Sequence, residues 1–409
     1  MKRRRFIQKS LIASSATTGL LTQSLRAASG FRIGQQPVIP NLKKKITSQV
    51  MIRSVELLKV ANNYFIVTTS NDGVKGISRA NSRLENMTTM FKNQVAPCFV
   101  NKDAREIERL LEEVYTFQRN YKYAGMSLWN CVAHIEISIL DLLGRVAESP
   151  VNKLIADQVI REEIPVYMSS TERGTTAEEE VDWVGKVIEE TGAKAAKMKV
   201  GGRMSNNKDA YPGRSEDLIK LARQTWGDDF VLYFDSNGSY DVPKAIEVGR
   251  LLQDYNVAFY EEPVPWEDFY GTKQVADALD ITVAGGEQDH STPKWEWMIN
   301  NRALDLVQPD IMYNGGMIRT IKVARMAEAA GIDATLHSPK NDALASYMLH
   351  FASITKNLGP YQEFRAKPPK DESFYTPKLR VRQGKIGVPD GVGFGMEFDP
   401  DYLKKGKVI

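Results

Sequence analysis

Residues 231–263 read VLYFDSNGSYDVPKAIEVGRLLQDYNVAFYEEP, which is one complete strand–helix–strand repeat. One apolar run of strand length ends at Asp235 and a second ends at Glu261. Between them, residues 245–254 carry apolar side chains at helical spacing. Short apolar strands joined by a helix are typical of parallel sheets covered by helices. This stretch therefore predicts an α/β fold.

The same repeat recurs along most of the chain. Strand-like runs occupy residues 164–168, 195–200, 230–235, 257–261, 281–287, 304–308, 333–337 and 361–364. Helix-like runs such as 177–191 and 318–330 separate them. Eight repeats predict a closed (β/α)-barrel over residues 161–365, and a doubly wound open sheet is the alternative. No Gly-x-Gly-x-x-Gly follows the first strand, so a dinucleotide-binding fold has no support.

The regions on either side of these repeats have a different pattern. Strand-like residues 54–60 and 64–69, and a turn at Asn71-Asp72-Gly73, precede helical runs at 103–118 and 126–143. We therefore expect an α+β domain over residues 45–160. A hairpin-like run at 380–388 lies in the tail, residues 366–409, which we expect to fold back on that first domain.

The N-terminus has the composition of a targeting segment. The first 30 residues contain six basic groups and no acid, whereas the whole chain of 409 residues carries a net charge of +3. The run Arg3-Arg4-Arg5-Phe6-Ile7 resembles a twin-arginine signal, so residues 1–29 are predicted to direct export to the periplasm. The apolar residues 11–25 are too few to span a bilayer, and no membrane association is expected after signal removal. No basic field for nucleic acid is present.

Two cysteines and four histidines are also present. Cys98 and Cys131 leave one disulfide possible, although Cys131 lies in an apolar helical run and is interpreted as a buried thiol. The cysteines and histidines have no zinc-finger spacing.

Carboxylates end three successive predicted strands. Asp235, Glu261 and Glu287 follow one another at intervals of 26 residues, about one βα unit. The carboxyl ends of barrel strands converge on one pocket, where three carboxylates repel unless a cation binds them. Magnesium prefers such oxygen ligands, so the pattern predicts an Mg²⁺ site. The alternative is that each acid caps the helix after it.

Two lysines end the second predicted strand. Strand alternation puts Lys197 and Lys199 on one face, with Met198 on the other. Repulsion between two ammonium groups lowers a pKa towards the range of a general base. The alternative is a solvated lysine pair.

The next pair of strand ends carries an acid and a histidine. Asp310 and His337 are 27 residues apart, which puts them on neighbouring strands. A carboxylate beside a histidine orients the imidazole and raises its basicity. The alternative is a buried histidine bonded to a backbone carbonyl. Glu363, near the end of the last strand, completes the ring.

Taken together, these segments resemble the mandelate racemase subgroup of the enolase superfamily. The resemblance rests on Lys197-Met198-Lys199, Asp235-Ser236-Asn237, Glu261-Glu262-Pro263, Gly285-Gly286-Glu287, Gln308-Pro309-Asp310 and His337. It implies a modified TIM barrel with an N-terminal capping domain, and it implies that Asp235, Glu261 and Glu287 bind magnesium. Lys199 and His337 would be acid/base groups on opposite faces of the substrate.

The resemblance also assigns the remaining polar residues. Lys197 would assist electrostatically, Asp310 would pair with His337, and Glu363 would hydrogen-bond the substrate carboxylate. A homo-oligomer is expected from the family.

The reaction that the resemblance implies is removal of the proton α to a carboxylate, through an enediolate. We favour dehydration of a sugar acid to a 2-keto-3-deoxy acid. Racemisation or epimerisation, cycloisomerisation, and non-catalytic binding of a sugar acid remain as alternatives. A metal-free glycoside hydrolase would need only two acids, and a zinc amidohydrolase is disfavoured because the sequence has no His-x-His pair.

Overall fold

The computed structural model describes residues 36–369 and 371–409, so the predicted signal at residues 1–29 lies outside the described residues. An antiparallel sheet near the N-terminus contains β1 (Ile52–Val60), β2 (Asn63–Ser70) and β3 (Lys75–Ala80). A short strand near the C-terminus, β15 (Lys407–Val408), pairs with β1 and extends this sheet. This sheet therefore joins strands that are far apart in the sequence.

Helix α2 (Met126–Val146) covers this sheet, and α1 (Ile107–Thr116) packs against α2. Helix α2 approaches β3 so closely that a Cβ on Gly76 would lie 2.0 Å from the carbonyl oxygen of Ser138. Among the described residues, α2 is long and apolar enough to cross a membrane, but 89% of its apolar window is buried inside the protein. It is the core helix between the capping sheet and the barrel.

Eight parallel strands and seven connecting helices form the second unit. The strands are β4 (Glu163–Ser169), β5 (Ala195–Lys199), β6 (Val231–Asp235), β7 (Phe259–Glu261), β8 (Thr282–Gly285), β9 (Leu306–Val307), β10 (Asp333–Ala334) and β11 (Gln362–Arg365). The helices are α3 (Ala177–Thr191), α4 (Arg214–Trp226), α5 (Val242–Asp254), α6 (Phe269–Ala278), α7 (Thr292–Asn300), α8 (Met317–Ala329) and α9 (Ala345–Ile354). Shorter helices occupy Leu42–Lys45, Thr88–Met90, Val151–Ile155 and Pro400–Lys404.

Local sequence signals start these helices. Thr176 and Glu179 form a reciprocal capping box at the start of α3. Asp241 accepts a hydrogen bond from the backbone N–H of Lys244 at the start of α5. The caps satisfy N–H groups that have no partner within the helix.

The strand order is β10-β9-β8-β7-β6-β5-β4-β11, so the last barrel strand, β11, pairs with the first, β4, and the seam of the ring lies between β10 and β11. This arrangement confirms the predicted barrel. Between β10 and β11 the contact is reduced to a bridge between Ala334 and Leu358, and Gln362 accepts a hydrogen bond from the backbone N–H of Leu336. A side chain therefore takes the place of strand pairing at this seam.

Aromatic side chains fill the barrel interior below the strand ends. Tyr167, Tyr233 and Phe259 form a buried cluster, and the last two rings stack 3.8 Å apart. This layer closes the floor beneath the polar residues at the carboxyl ends of the strands.

The tail contacts both units. The hairpin expected at residues 380–388 turns between Arg382 and Lys385, and its strand β13 (Lys385–Gly387) pairs with β4 of the barrel. The strands β12 (Tyr375–Thr376) and β14 (Glu397–Phe398) pair with each other, and Phe374 and Phe398 pack on Phe65 of the capping sheet.

Candidate active site

Three carboxylates meet at the mouth of the barrel. Asp235 and Glu261 end β6 and β7, and Glu287 lies two residues beyond β8. One oxygen of each lies within 4.8 Å of the others, and Asp235 and Glu261 are buried. The structure therefore brings together the three strand-end carboxylates that the sequence predicts to meet.

The chemistry of this cluster fits a hard divalent cation. All three donors are carboxylate oxygens, and within the described residues the buried atom Glu261 Oε1 has no hydrogen-bond partner. Burial and the neighbouring Asp235 raise the pKa of Glu261 to about 7, against the opposite effect of Lys197 and Lys199. An oxygen-only set of this kind suits magnesium.

Neighbouring amides hold the carboxylates in place. Asn237 donates from its side chain to Asp235 at 3.0 Å and from its backbone at 2.7 Å. Gln308 donates to Glu261 Oε2 at 2.9 Å. Asn237 and Glu262 both have a φ of +42°, a left-handed conformation that is uncommon for residues with a side chain. Such strain persists where the surrounding structure requires it, commonly at functional sites.

Both lysines of β5 point into the barrel, as alternation predicts. Lys197 Nζ lies 2.6 Å from Glu261 and 2.9 Å from Glu363, whereas Lys199 contacts Asp235. Burial lowers the pKa of Lys197, but Glu261 and Glu363 outweigh burial and raise this pKa well above its ordinary value. The expectation that lysine–lysine repulsion lowers the pKa is therefore wrong for Lys197, because each ammonium has its own carboxylate.

His337 lies between two acids. Its Nδ1 is 2.8 Å from Asp310, and its Nε2 is at an ion-pair distance of 3.2 Å from Glu287. The backbone N–H of Met312 donates to the other oxygen of Asp310 and fixes this carboxylate. Burial lowers the pKa of His337, but Glu287 and the hydrogen bond to Asp310 outweigh burial and raise it to about 9. The imidazole is thus held in its protonated form.

Glu363 is fully enclosed by donors. Ser169 Oγ and the backbone N–H of Ser338 each donate to it at 2.7 Å, and Lys197 is its ion-pair partner. Burial raises the pKa of Glu363, but Lys197 and His337 outweigh burial and lower it below its ordinary value. This carboxylate therefore remains ionised beside Lys197.

The acid/base candidates lie on opposite sides of the mouth. Lys199 is on β5, and His337 follows β10, with the three acidic strands between them. His337 and Asp310 each lie three residues beyond their two-residue strands. A planar substrate fragment between them would meet the Lys199 amine on one face and the His337 imidazole on the other.

The capping unit also reaches the site. Arg83 Nε donates to Tyr313 Oη at 3.0 Å, and the ring of Tyr313 lies 6.3 Å from that of His337. The backbone N–H of Asn81 donates to the buried His134, which anchors the start of this segment. These contacts join two distant parts of the chain, so sequence patterns gave no signal for them.

Comparison with known proteins shows the family of this chain. A sequence model of the mandelate racemase/muconate lactonizing enzyme N-terminal domain matches residues 45–156. A model of the enolase C-terminal domain-like family matches residues 179–402, more than half of the chain. The chain belongs to the mandelate racemase/muconate lactonizing group of the enolase superfamily.

Two relatives with similar sequences are enzymes that act on sugar acids or their lactones, as their names state. The arabinonate dehydratase of Saccharolobus solfataricus is 24% identical over 73% of this chain and 78% of the relative. The D-galactarolactone cycloisomerase of Agrobacterium fabrum is 26% identical over 74% of this chain and 80% of the relative. The relatives are sugar-acid dehydratases and cycloisomerases, so the chain is an enzyme of this superfamily.

Solved structures of superfamily members superpose closely. A racemase candidate from Roseobacter denitrificans is 33% identical, with a TM-score of 0.83, and covers 87% of this chain and 98% of its own. A mandelate racemase/muconate lactonizing protein from Paracoccus denitrificans, complexed with magnesium, is 26% identical, with a TM-score of 0.79, and covers 88% and 99%. Both confirm the capped barrel.

Two further histidines and both cysteines are buried outside the acidic cluster. His134 and His350 are fully buried, and burial lowers the pKa of His134 to about 3 and that of His350 to about 4. Cys98 and Cys131 are buried free thiols. Among site residues that sequence reasoning missed, Ser169 ends β4 and could have been found by the same strand-end rule.

Proposed function

We propose that this protein is a magnesium-dependent sugar-acid dehydratase that forms a 2-keto-3-deoxy acid. The observation that carries the proposal is the placement of Lys199 and His337 on opposite sides of the carboxylate cluster Asp235, Glu261 and Glu287. An enzyme that removes the proton α to a carboxylate needs a base beside that carbon and positive charge around the carboxylate.

Asp235, Glu261 and Glu287 are the residues that would hold the metal. A bound magnesium ion supplies Lewis-acid stabilisation of the negative charge that develops on the substrate carboxylate. Lys197 would add positive charge on the same side, because its ammonium lies among Glu261 and Glu363 at the strand ends. Gln308 and Asn237 keep the acidic side chains oriented.

Lys199 is the proposed base. In the protein it contacts Asp235, a proposed metal ligand, so charge neutralisation at Asp235 would free the amine from this partner. Its side chain is 5% exposed, which limits competition from water. The α-proton moves to Lys199 Nζ, and an enediolate is left on the substrate.

His337 is the proposed acid. The hydrogen bond to Asp310 favours the protonated imidazole, and the same contact fixes the ring orientation. A β-hydroxyl group on the opposite face takes the proton of Nε2 and leaves as water. The resulting enol then converts to the 2-keto acid.

Cycloisomerisation is a second candidate, because relatives such as the D-galactarolactone cycloisomerase are cycloisomerases. The first step would be the same. The difference is the leaving atom, which in a cycloisomerase is a ring oxygen of the substrate rather than a hydroxyl group.

The test is incubation with magnesium and a panel of sugar acids in heavy water, followed by mass spectrometry. Loss of water from one acid supports the dehydratase and identifies its substrate. Deuterium gain without loss of water indicates an isomerase. Absence of exchange from every acid, with and without metal, contradicts the proposal, provided that the panel includes diacids, monoacids and anhydro acids.

We further propose that the protein is exported to the periplasm as a folded, metal-loaded chain. The support is the Arg3-Arg4-Arg5-Phe6-Ile7 run in an acid-free N-terminal segment. Replacement of Arg3 and Arg4 by Lys retains charge but removes the arginine pair. Cell fractionation should then find the variant in the cytoplasm, and periplasmic recovery of it would contradict this route.

A further inference from the structure

Two arginines converge on one amide oxygen at the barrel mouth. Arg173 lies in the loop after β4, and Arg203 lies in the loop after β5. Their guanidinium groups donate to Asn237 Oδ1 at 2.8 Å and 3.1 Å, respectively. The loops of two adjacent strands therefore bring two positive charges to the same point.

The two arginines differ from most buried or half-buried cations of this protein in their hydrogen-bond partners. Within residues 36–369 and 371–409, no ion pair joins Arg173 or Arg203 to a carboxylate, and their hydrogen bonds go to neutral oxygens. The nearby Arg214 differs, because it forms a buried ion pair with Glu180. Burial lowers the pKa of Arg173, and with Arg203 and Arg214 it outweighs the opposite effect of Asp235 and Glu180. Cations held together in this way are normally compensated by an anion.

The pair lies next to the proposed catalytic residues. Asn237 bridges it to the metal cluster, because its amide nitrogen donates to Asp235 Oδ2 at 3.0 Å. Arg203 is exposed, and it adopts a left-handed backbone with φ of +56°, followed by Met204 at +48°. The loop passes so close to Ser239 that a Cβ on Gly201 would lie 2.5 Å from the Ser239 side chain. This contact fixes the path of the loop. A strained, anchored loop thus presents the Arg203 guanidinium at the mouth.

From this geometry we infer that Arg203 and Arg173 form a subsite for a second, distal carboxylate. The inference rests on the proposed function and narrows its substrate class to sugar diacids with a carboxylate at each end. One carboxylate would lie at the acidic cluster, and the other would meet the two guanidinium groups. Guanidinium groups match the planar geometry of a carboxylate and can donate two parallel hydrogen bonds.

The test compares a diacid and a monoacid of the same configuration, galactarate and galactonate, with magnesium present. We expect kcat/KM to favour the diacid by about tenfold or more, the size of one charge-assisted hydrogen bond. In R203M this preference should fall towards unity through KM for the diacid, and R203K should retain part of it. K208M, which changes an exposed lysine of the same loop, should leave the preference unchanged.

Two results would overturn the subsite. One is an equal loss for both acids in R203M, because Arg203 would then serve only to position Asn237. The other is a wild-type preference for the monoacid. Calorimetric titration with galactarate separates this failure from failure of the proposed function. Binding that is weakened by R203M, without any proton exchange, supports the subsite and contradicts the dehydratase. Exchange of the α-proton, together with galactarate binding that R203M leaves unchanged, supports the dehydratase and contradicts the subsite.

Discussion

At the scale of single residues, the most direct prediction is that Lys199 acts as the base and His337 as the acid. His337→Asn removes the proton donor to the leaving group, so water loss should fall by about 10²–10⁴-fold. Exchange of the α-proton with heavy water should persist, since Lys199 is unchanged. Mass spectrometry of the recovered acid measures both processes.

The control for this prediction is His290→Asn, which changes a histidine outside the acidic cluster. It should leave both rates near the wild-type values. The assignment of roles would be reversed if His337→Asn abolished exchange while Lys199→Met retained it.

The residue scale also shows what sequence could and could not predict. The sequence predicts the acidic cluster of Asp235, Glu261 and Glu287, because the ends of successive strands converge in any barrel. Arg83 and Arg173 could not, because each reaches the mouth from a loop whose path depends on long-range packing. The pKa of Lys197 was also beyond prediction, since it depends on which carboxylates lie within hydrogen-bond distance.

At the scale of elements, one buried carboxylate joins the capping unit to the barrel. Glu136 on α2 accepts hydrogen bonds from the backbone N–H groups of Met317 and Ile318 at 2.6 Å and 2.7 Å, at the start of α8. Glu136→Ala leaves two buried N–H groups unpaired and opens a cavity. The variant should lose about 2–4 kcal/mol of stability, which a shift of the denaturation midpoint would measure.

Glu112→Ala is the matched control, because this side chain on α1 is 76% exposed. Its effect should stay within about 0.5 kcal/mol. Equal midpoints for the two variants would show that Glu136 does not hold the elements together.

A second prediction for α2 concerns acid stability. The pKa of the buried His134 is about 3, whereas an unfolded histidine titrates near 6.5. The unfolded state therefore binds a proton first as the pH falls, and the stability is present above about 6.5 and lost below it. At pH 5 the loss is about 2 kcal/mol from this group alone.

The measurement is the difference in unfolding free energy between pH 7 and pH 5 for the wild type and His134→Gln. The variant lacks this titration, so its loss should be about 2 kcal/mol smaller. An unchanged difference would mean that His134 is protonated in the folded protein. His350→Gln gives an independent comparison, because the pKa of this histidine is also lowered by burial.

At the scale of the whole molecule, the barrel is predictable from periodic apolar runs, whereas the tail strands depend on pairing between distant segments. The eight strands could be predicted from repeats of apolar runs, although β9 and β10 are only two residues long. The strand partners of the tail could not be predicted in full. Residues 385–387 pair with β4 of the barrel, whereas residues 407–408 pair with β1 of the capping sheet. Antiparallel pairing between distant segments leaves no periodic signal in either one.

Metal binding should also appear in the stability of the whole molecule. A ligand that binds only the folded state stabilises it by about 2.7 kcal/mol at a concentration 100 times its Kd. Magnesium should therefore raise the melting temperature of protein pretreated with a chelator. Glu287→Gln removes one carboxylate from the cluster and should greatly reduce this rise.

The matched control is Glu247→Gln, which changes a side chain that is 70% exposed on α5 and should respond to magnesium like the wild type. Calcium and zinc at equal concentration test the selectivity, because the oxygen-only cluster should not favour zinc over magnesium as a nitrogen or sulfur site would. If magnesium raised the melting temperature of Glu287→Gln as much as that of the wild type, the ion would bind elsewhere. The three carboxylates would then have to be explained by their contacts with Lys197, Lys199 and His337 alone.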